Sequence, residues 1–324
     1  MRFEEFLALS PHVLRYIKVL SICNSKDLNS PTLDVKLGEL ANVLTAIYNL
    51  KSLDFNNVNI DIDCEFGHEL MRPSFSSVTS LRLVASKFES TPSSGQSTSS
   101  FFEMFPYLTC LSLINMAFPT HGHLTGNAVM GLSPFSPHLT SVTIILDAIV
   151  FPLVLRDIMN GPSFNKITLL NLSLWDPSHI RLLGDMLDTL GPVLKSLMLR
   201  MELEDACEDK VREWVHDLKL HKCSYLSAFS LSFALSSLCT QRDHVPLCSW
   251  QGIPHFLEVL PRLTLRNITF GATFRRVPPE RITKWFDILS RHLPSWCYII
   301  LIPIPNFPSH SRYLASSTSE HTGN

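Results

Sequence analysis

A six-residue phrase with large apolar side chains at its first, fourth and sixth positions recurs along the chain. It reads LKSLDF from Leu50, VTSLRL from Val78, LTCLSL from Leu108 and LTSVTI from Leu139. It continues as ITLLNL from Ile167, LKSLML from Leu194 and LSAFSL from Leu226, with fainter copies at Ile17 (IKVLSI) and Leu265 (LRNITF). Consecutive phrases begin 27 to 39 residues apart. The fourth and sixth positions are two residues apart, so a β-strand points both to one face, and the first is expected to be buried in the turn that leads into the strand.

Helical periodicity fills several of the intervals. Leu37, Leu40, Val43, Leu44 and Ile47 follow the i, i+3, i+4 rule, as do Ile180, Leu183, Met186, Leu187 and Leu190. The second set is preceded by Asp176-Pro177-Ser178 and followed by Gly191-Pro192, ordinary helix start and stop signals. Val211, Trp214, Val215 and Leu218 predict a third helix, Phe256, Leu257 and Leu260 a shorter one, and Ile282, Trp285, Phe286 and Leu289 a last. The apolar run Trp296–Pro305, about half the ~20 residues a membrane span needs, predicts a buried strand.

One strand and one helix per unit predict an α/β fold, a leucine-rich-repeat solenoid with parallel strands on the concave face and helices on the convex face. A doubly wound α/β domain also alternates strand and helix. Against it stand the constant internal spacing of the phrase, only 12 glycines, and the absence of a Gly-rich loop after any strand. The expected organisation is a solenoid of about nine or ten units over residues 1–305, with a Ser-rich loop at 90–100 and a disordered tail at 306–324.

Composition narrows the class without naming an activity. With 45% hydrophobic and 17% charged residues the chain can fill a continuous core, and a net charge of −2 gives no global attraction to nucleic acid or anionic membrane. The eight cysteines form no CxxC pair and are read as reduced thiols of a cytoplasmic or nuclear protein, since the N-terminus does not resemble a secretory signal. The sequons at Asn171 and Asn267 fall within predicted strands and are read as chance matches.

The segment Phe3–Leu20, FEEFLALSPHVLRYIKVL, resembles the junction after the F-box in fungal F-box-like leucine-rich-repeat proteins, where an aromatic-rich helix leads through Ser-Pro-His into the first strand. Later phrases, such as IYNLKSL from Ile47, are similar to the loose repeats of that family. The resemblance covers roughly residues 3–300. It implies substrate reception for a cullin-RING ubiquitin ligase, with an F-box gripping a Skp1-type adaptor. The F-box itself, a helical module of about forty residues, would precede this junction, and no residue of the chain takes the adaptor-binding role. A stand-alone binding scaffold without a ligase link is the alternative.

In such a repeat, positions 3, 5 and 7 of each phrase face away from the core. The candidate partner-binding residues on that face are Asp54, Asn56, Arg82, Thr143, Asn171, Met198 and Arg200. The face is small, polar and nearly uncharged, which also suits a sheet that merely meets solvent. Loop residues at strand ends, Phe118 and Trp175, are further candidates. Residues 262–291 hold seven Arg and Lys against Glu280 and Asp287; thin aromatic interleaving favours a solvated surface over an RNA or acidic-partner site. The acidic run Glu202 to Asp209 suits the start of the helix that follows it.

Catalytic and metal chemistry find no constellation. Cys239-x4-His244-x3-Cys248, with His221 and Cys223 upstream, lacks the two close ligand pairs of structural zinc, and His121-Gly-His123 lacks a third ligand. Gly131-Leu-Ser133-Pro-Phe135 fails as a nucleophile elbow at its last residue, and neither a P-loop nor a dinucleotide fingerprint occurs. The expectation is a protein-binding chain, not an enzyme, with no cofactor or metal, no membrane association, and nucleic acid an unfavoured partner.

Overall fold

The computed structural model describes residues 10–24, 33–61, 74–89, 98–118, 136–201, 208–235, 256, 258–261, 264–274 and 298–301. The protein is α/β, and every phrase forms a strand. Among the described residues ten strands make one sheet in chain order: β1 (Val19–Cys23), β3 (Ser52–Asn56), β5 (Ser80–Val84), β7 (Cys110–Ile114), β8 (Ser141–Ile145), β9 (Leu169–Leu174), β10 (Ser196–Met201), β11 (Ala228–Leu235), β12 (Asn267–Phe274) and β13 (Tyr298–Leu301). All nine pairings are parallel and keep the phrases in register, so that Leu53 lies opposite Leu81, Leu81 opposite Leu111, and Leu111 opposite Val142. The strand expected within Trp296–Pro305 is β13.

The burial pattern follows the phrase. From Leu50 to Leu226 the first-position residues of the seven clear phrases are at most 1% exposed, and the fourth and sixth positions are buried in all seven. The first position closes a tight turn, its N–H donating to the carbonyl three residues earlier in six of those phrases, for example Leu50 N to Ile47 O at 3.2 Å and Leu226 N to Cys223 O at 3.0 Å. In the phrase at Leu194 the acceptor is four residues back, at Leu190. Ile47, Phe75 and Phe105 occupy the acceptor position and are themselves buried.

A second junction recurs at position 2. In each step along the sheet from β1 to β12, the N–H groups of positions 2 and 3 both donate to the position-2 carbonyl of the preceding unit, as in Thr140 N and Ser141 N to Thr109 O, each at 2.9 Å. Where position 2 is Thr, the hydroxyl donates to that carbonyl as well: Thr109 to Thr79 O (3.1 Å), Thr140 to Thr109 O (3.2 Å) and, more weakly, Thr79 to Lys51 O and Thr168 to Thr140 O (each 3.4 Å).

The expected layer of one helix per unit holds only in part. The three predicted helices within the described residues form as Leu37–Ala46, Ser178–Leu190 and Glu208–Asp217, and a short helical piece holds buried Phe256. Near the N-terminus a second, short parallel sheet forms as well, β2 (Leu33–Lys36), β4 (Val58–Asp61) and β6 (Lys87–Glu89), with helices following β2 and β6 in the chain. β4 and β6 each follow a left-handed residue at the eighth position of their unit, Asn57 (φ 56°) and Ala85 (φ 46°), and Asn115 (φ 50°) repeats the kink in the next unit, where Ala117 bridges to Lys87. That kink turns the chain while its N–H still bonds to the next strand, as Asn57 N does to Val84 O at 2.9 Å. Val58 and Ile60 then alternate inward with period two, the signature of a strand.

Two helices depart from the sequence-based expectation. Thr98–Glu103 occupies the end of the expected Ser-rich loop and delivers Phe101 and Phe102, whose rings pack edge-on against Phe55, Phe88 and Phe105. Phe151–Met159 follows Asp147, whose Oδ1 accepts from the Ile149 and Val150 N–H groups at 2.9 and 2.8 Å. Residues 90–97, the helix expected at 282–289 and the tail at 306–324 lie outside the described residues.

Gly191 ends its helix for a different reason from the one its sequence context suggests. Its φ is −46°, in the right-handed region, so no left-handed cap is involved. A Cβ there would lie 2.5 Å from the Lys222 carbonyl oxygen, so the glycine permits close approach of the next unit's backbone.

Candidate docking face on the parallel sheet

Parallel register carries each odd phrase position across the sheet as a row. The position-5 row runs Ser21, Asp54, Arg82, Ser112, Thr143, Asn171, Met198, Ser230 and Thr269. Five of the seven candidate residues therefore lie in one line, Asp54 to Met198, spanning about 24 Å at the usual strand spacing. Asn56 and Arg200 belong to the adjacent position-7 row and sit near its two ends.

The two charges of the first row neutralise one another. Arg82 Nη1 lies 3.2 Å from Asp54 Oδ2, and Ser21 Oγ reaches the same oxygen at 3.4 Å. The pair is solvent-screened, worth at most ~1 kcal/mol, and leaves the centre of the row without net charge. Thr143 and Asn171 are half-buried at the centre, followed by Met198, which is 45% exposed.

Leu169, in the position-3 row on the strand beside Met198, is also 45% exposed. Register places Leu169 opposite Ser196 and Met198 opposite Asn171, so the two side chains are diagonal neighbours on one face. They form an apolar centre among Thr143, Asn171, Ser196 and Ser230. Leu169 was not among the candidates singled out from the sequence, although its third-position place in ITLLNL puts it on this face.

Other sequence expectations are corrected here. Phe118 is no docking residue: it is buried and its ring lies 5.6 Å from that of Phe88. Ser173, at position 7, is fully buried opposite Arg200, and its Oγ has no hydrogen-bond partner. Trp175 is half-buried, with its indole Nε1 enclosed and unpartnered. His179 stacks on Phe151 with ring centroids 5.0 Å apart; burial pushes its pKa down, against the opposing pull of Asp176 and a bond to the Ala148 backbone. Asp176 is itself held below the usual carboxylate value, first by the Ser178 N–H and then by its hydroxyl.

Among the described residues no group of three His, Cys, Asp or Glu is placed to hold a metal ion. Cys239, His244, Cys248, His121 and His123 lie outside them, as do Glu202, Glu204, Asp205 and, of the basic stretch at 262–291, every charged residue except Arg266. Of the described cysteines, Cys23 is exposed, Cys110 half-buried, and Cys223 buried with its thiol pushed up to about 12 by desolvation. No described helix is long and apolar enough to cross a membrane.

No protein-family model matches the chain. A search of curated proteins likewise finds no match.

Proposed function

We propose that the chain is a leucine-rich-repeat solenoid that binds a protein partner through the outward face of its ten-stranded sheet. The observation that carries this reading is the exposed Leu169–Met198 pair, set in an uncharged row of Thr143, Asn171 and Ser230. An apolar centre ringed by small polar groups is the anatomy of a protein-binding patch. The recurring position-2 junction and the addition of each strand next to its predecessor support the solenoid.

The resemblance around Ser10-Pro11-His12 supports a more specific role, the substrate-recognition part of an F-box ubiquitin-ligase receptor. Such a receptor joins its ligase through an F-box upstream of the junction, bound to a Skp1-type adaptor. The second reading, a stand-alone scaffold, needs the docking face only.

Affinity capture of the tagged chain from its native cells separates the two, performed with and without any in-frame upstream coding sequence. Recovery of the adaptor and cullin with the longer form is the expected result for the receptor. Partners recovered without the adaptor in both forms leave the stand-alone scaffold and overturn the ligase role.

A further inference from the structure

Because all ten strands run parallel, whatever precedes each strand lies along one rim of the sheet. In nine units, from four residues before the phrase to its third position, there is not one Asp or Glu, although the chain carries 29. The same band holds Arg15, Lys18, Lys51, Lys166, Lys195, Lys222 and Arg266, all exposed; Lys222 pairs with Asp188 at 3.7 Å, and the other six are not ion-paired with a described residue. At the opposite rim, where the strands end, Asp147 and Asp176 follow β8 and β9, while Arg200 lies next to the end of β10. The strand-entry rim is thus free of acidic side chains, whereas the strand-exit rim carries both signs.

Tyrosines interleave with these cations. Tyr16, Tyr48 and Tyr225 are 62–66% exposed and Tyr107 is 49% exposed, each one or two residues ahead of a phrase. Arg15 lies 4.7 Å over the Tyr16 ring, and Tyr107 stacks on His138 with centroids 5.3 Å apart. Exposed tyrosine and arginine are side chains that anchor protein interfaces, and unpaired cations beside them select an acidic partner.

We infer that this rim, about 38 Å long over nine units, binds an extended acidic segment of a protein. The inference rests on reading the chain as a protein-binding module and adds a second surface with its own chemistry. A polynucleotide is the poorer fit, since the net charge of −2 and pI near 6.7 lack the basic field a phosphate backbone calls for.

The test is fluorescence anisotropy with a labelled Glu/Ser peptide of about a dozen residues and, separately, a single-stranded oligonucleotide of similar length, in about 0.1 M salt. The rim pair Lys51→Glu/Lys195→Glu is compared with Lys36→Glu/Arg156→Glu, which makes the same charge change off the rim. The inference expects peptide binding by the unmodified chain, weakened about tenfold by the rim pair and unchanged by the control pair. It is overturned by no peptide binding, by equal loss in both pairs, or by an oligonucleotide that binds more tightly than the peptide. Its failure leaves the sheet-face reading standing if a partner captured by the chain still crosslinks at Met198.

Discussion

A Cβ added to Gly184 would sit 1.8 Å from the carbonyl oxygen of Asp217, at the contact between helices Ser178–Leu190 and Glu208–Asp217. In an exposed helix, Gly to Ala gains ~1 kcal/mol. Here the new methyl meets backbone, which cannot rotate away, so the helices must part. Gly184→Ala is expected to destabilise the protein by about 1–3 kcal/mol, measured by urea unfolding. A gain in stability would mean the helices do not approach so closely.

The threonines at position 2 tie one unit to the next. Thr109→Val and Thr140→Val keep size and strand propensity but remove a hydroxyl donor from a carbonyl that already accepts two N–H groups. Each should cost about 1 kcal/mol. Thr143→Val, which touches no such carbonyl, should cost less.

Ala85 holds φ 46° without glycine's freedom. The left-handed region costs a non-glycine residue ~1–2 kcal/mol, while glycine loses ~0.5–1 kcal/mol of extra chain entropy on folding. Ala85→Gly is therefore expected to stabilise by about 0.5–1 kcal/mol, read in the same unfolding experiment.

His179 gives stability a pH dependence whose sign follows from its burial. Its folded pKa is depressed below the ordinary 6.5, so the unfolded chain binds the proton more readily. The stability associated with the neutral ring is present above 6.5 and is lost as pH falls from there through the folded pKa. His179→Phe, which keeps a ring against Phe151, should flatten the unfolding free energy between about pH 7 and 5. An unchanged slope would assign the pH dependence to other groups.

The sheet was legible in the sequence because one spacing, apolar at positions 1, 4 and 6, is imposed by burial in every unit. The same spacing set the outward face, and five of seven candidates fall in one row. The second sheet was hidden because its strands are three or four residues long and two of them follow left-handed turns, at Asn57 and Ala85, that apolar spacing does not reveal. The helix at Thr98 was masked by its serine-rich lead, whereas that at Phe151 was legible and missed, since Phe151, Val154, Leu155 and Ile158 have helical spacing. Phe118 was misplaced because a loop position does not reveal the aromatic cluster it joins. The acid-free rim emerged only once the strand register brought the short stretches ahead of each strand into line.

The most direct test of sheet-face binding is site-specific photocrosslinking. A benzoylphenylalanine is placed at Met198, at Thr143, or, as a control, at exposed Asp185 on the helical side, and the chain is presented with its captured partner. The account predicts crosslinks from Met198 and Thr143 and none from Asp185, with Asn171→Arg suppressing them. Crosslinks from Asp185 alone would contradict it and move the docking surface to the helices.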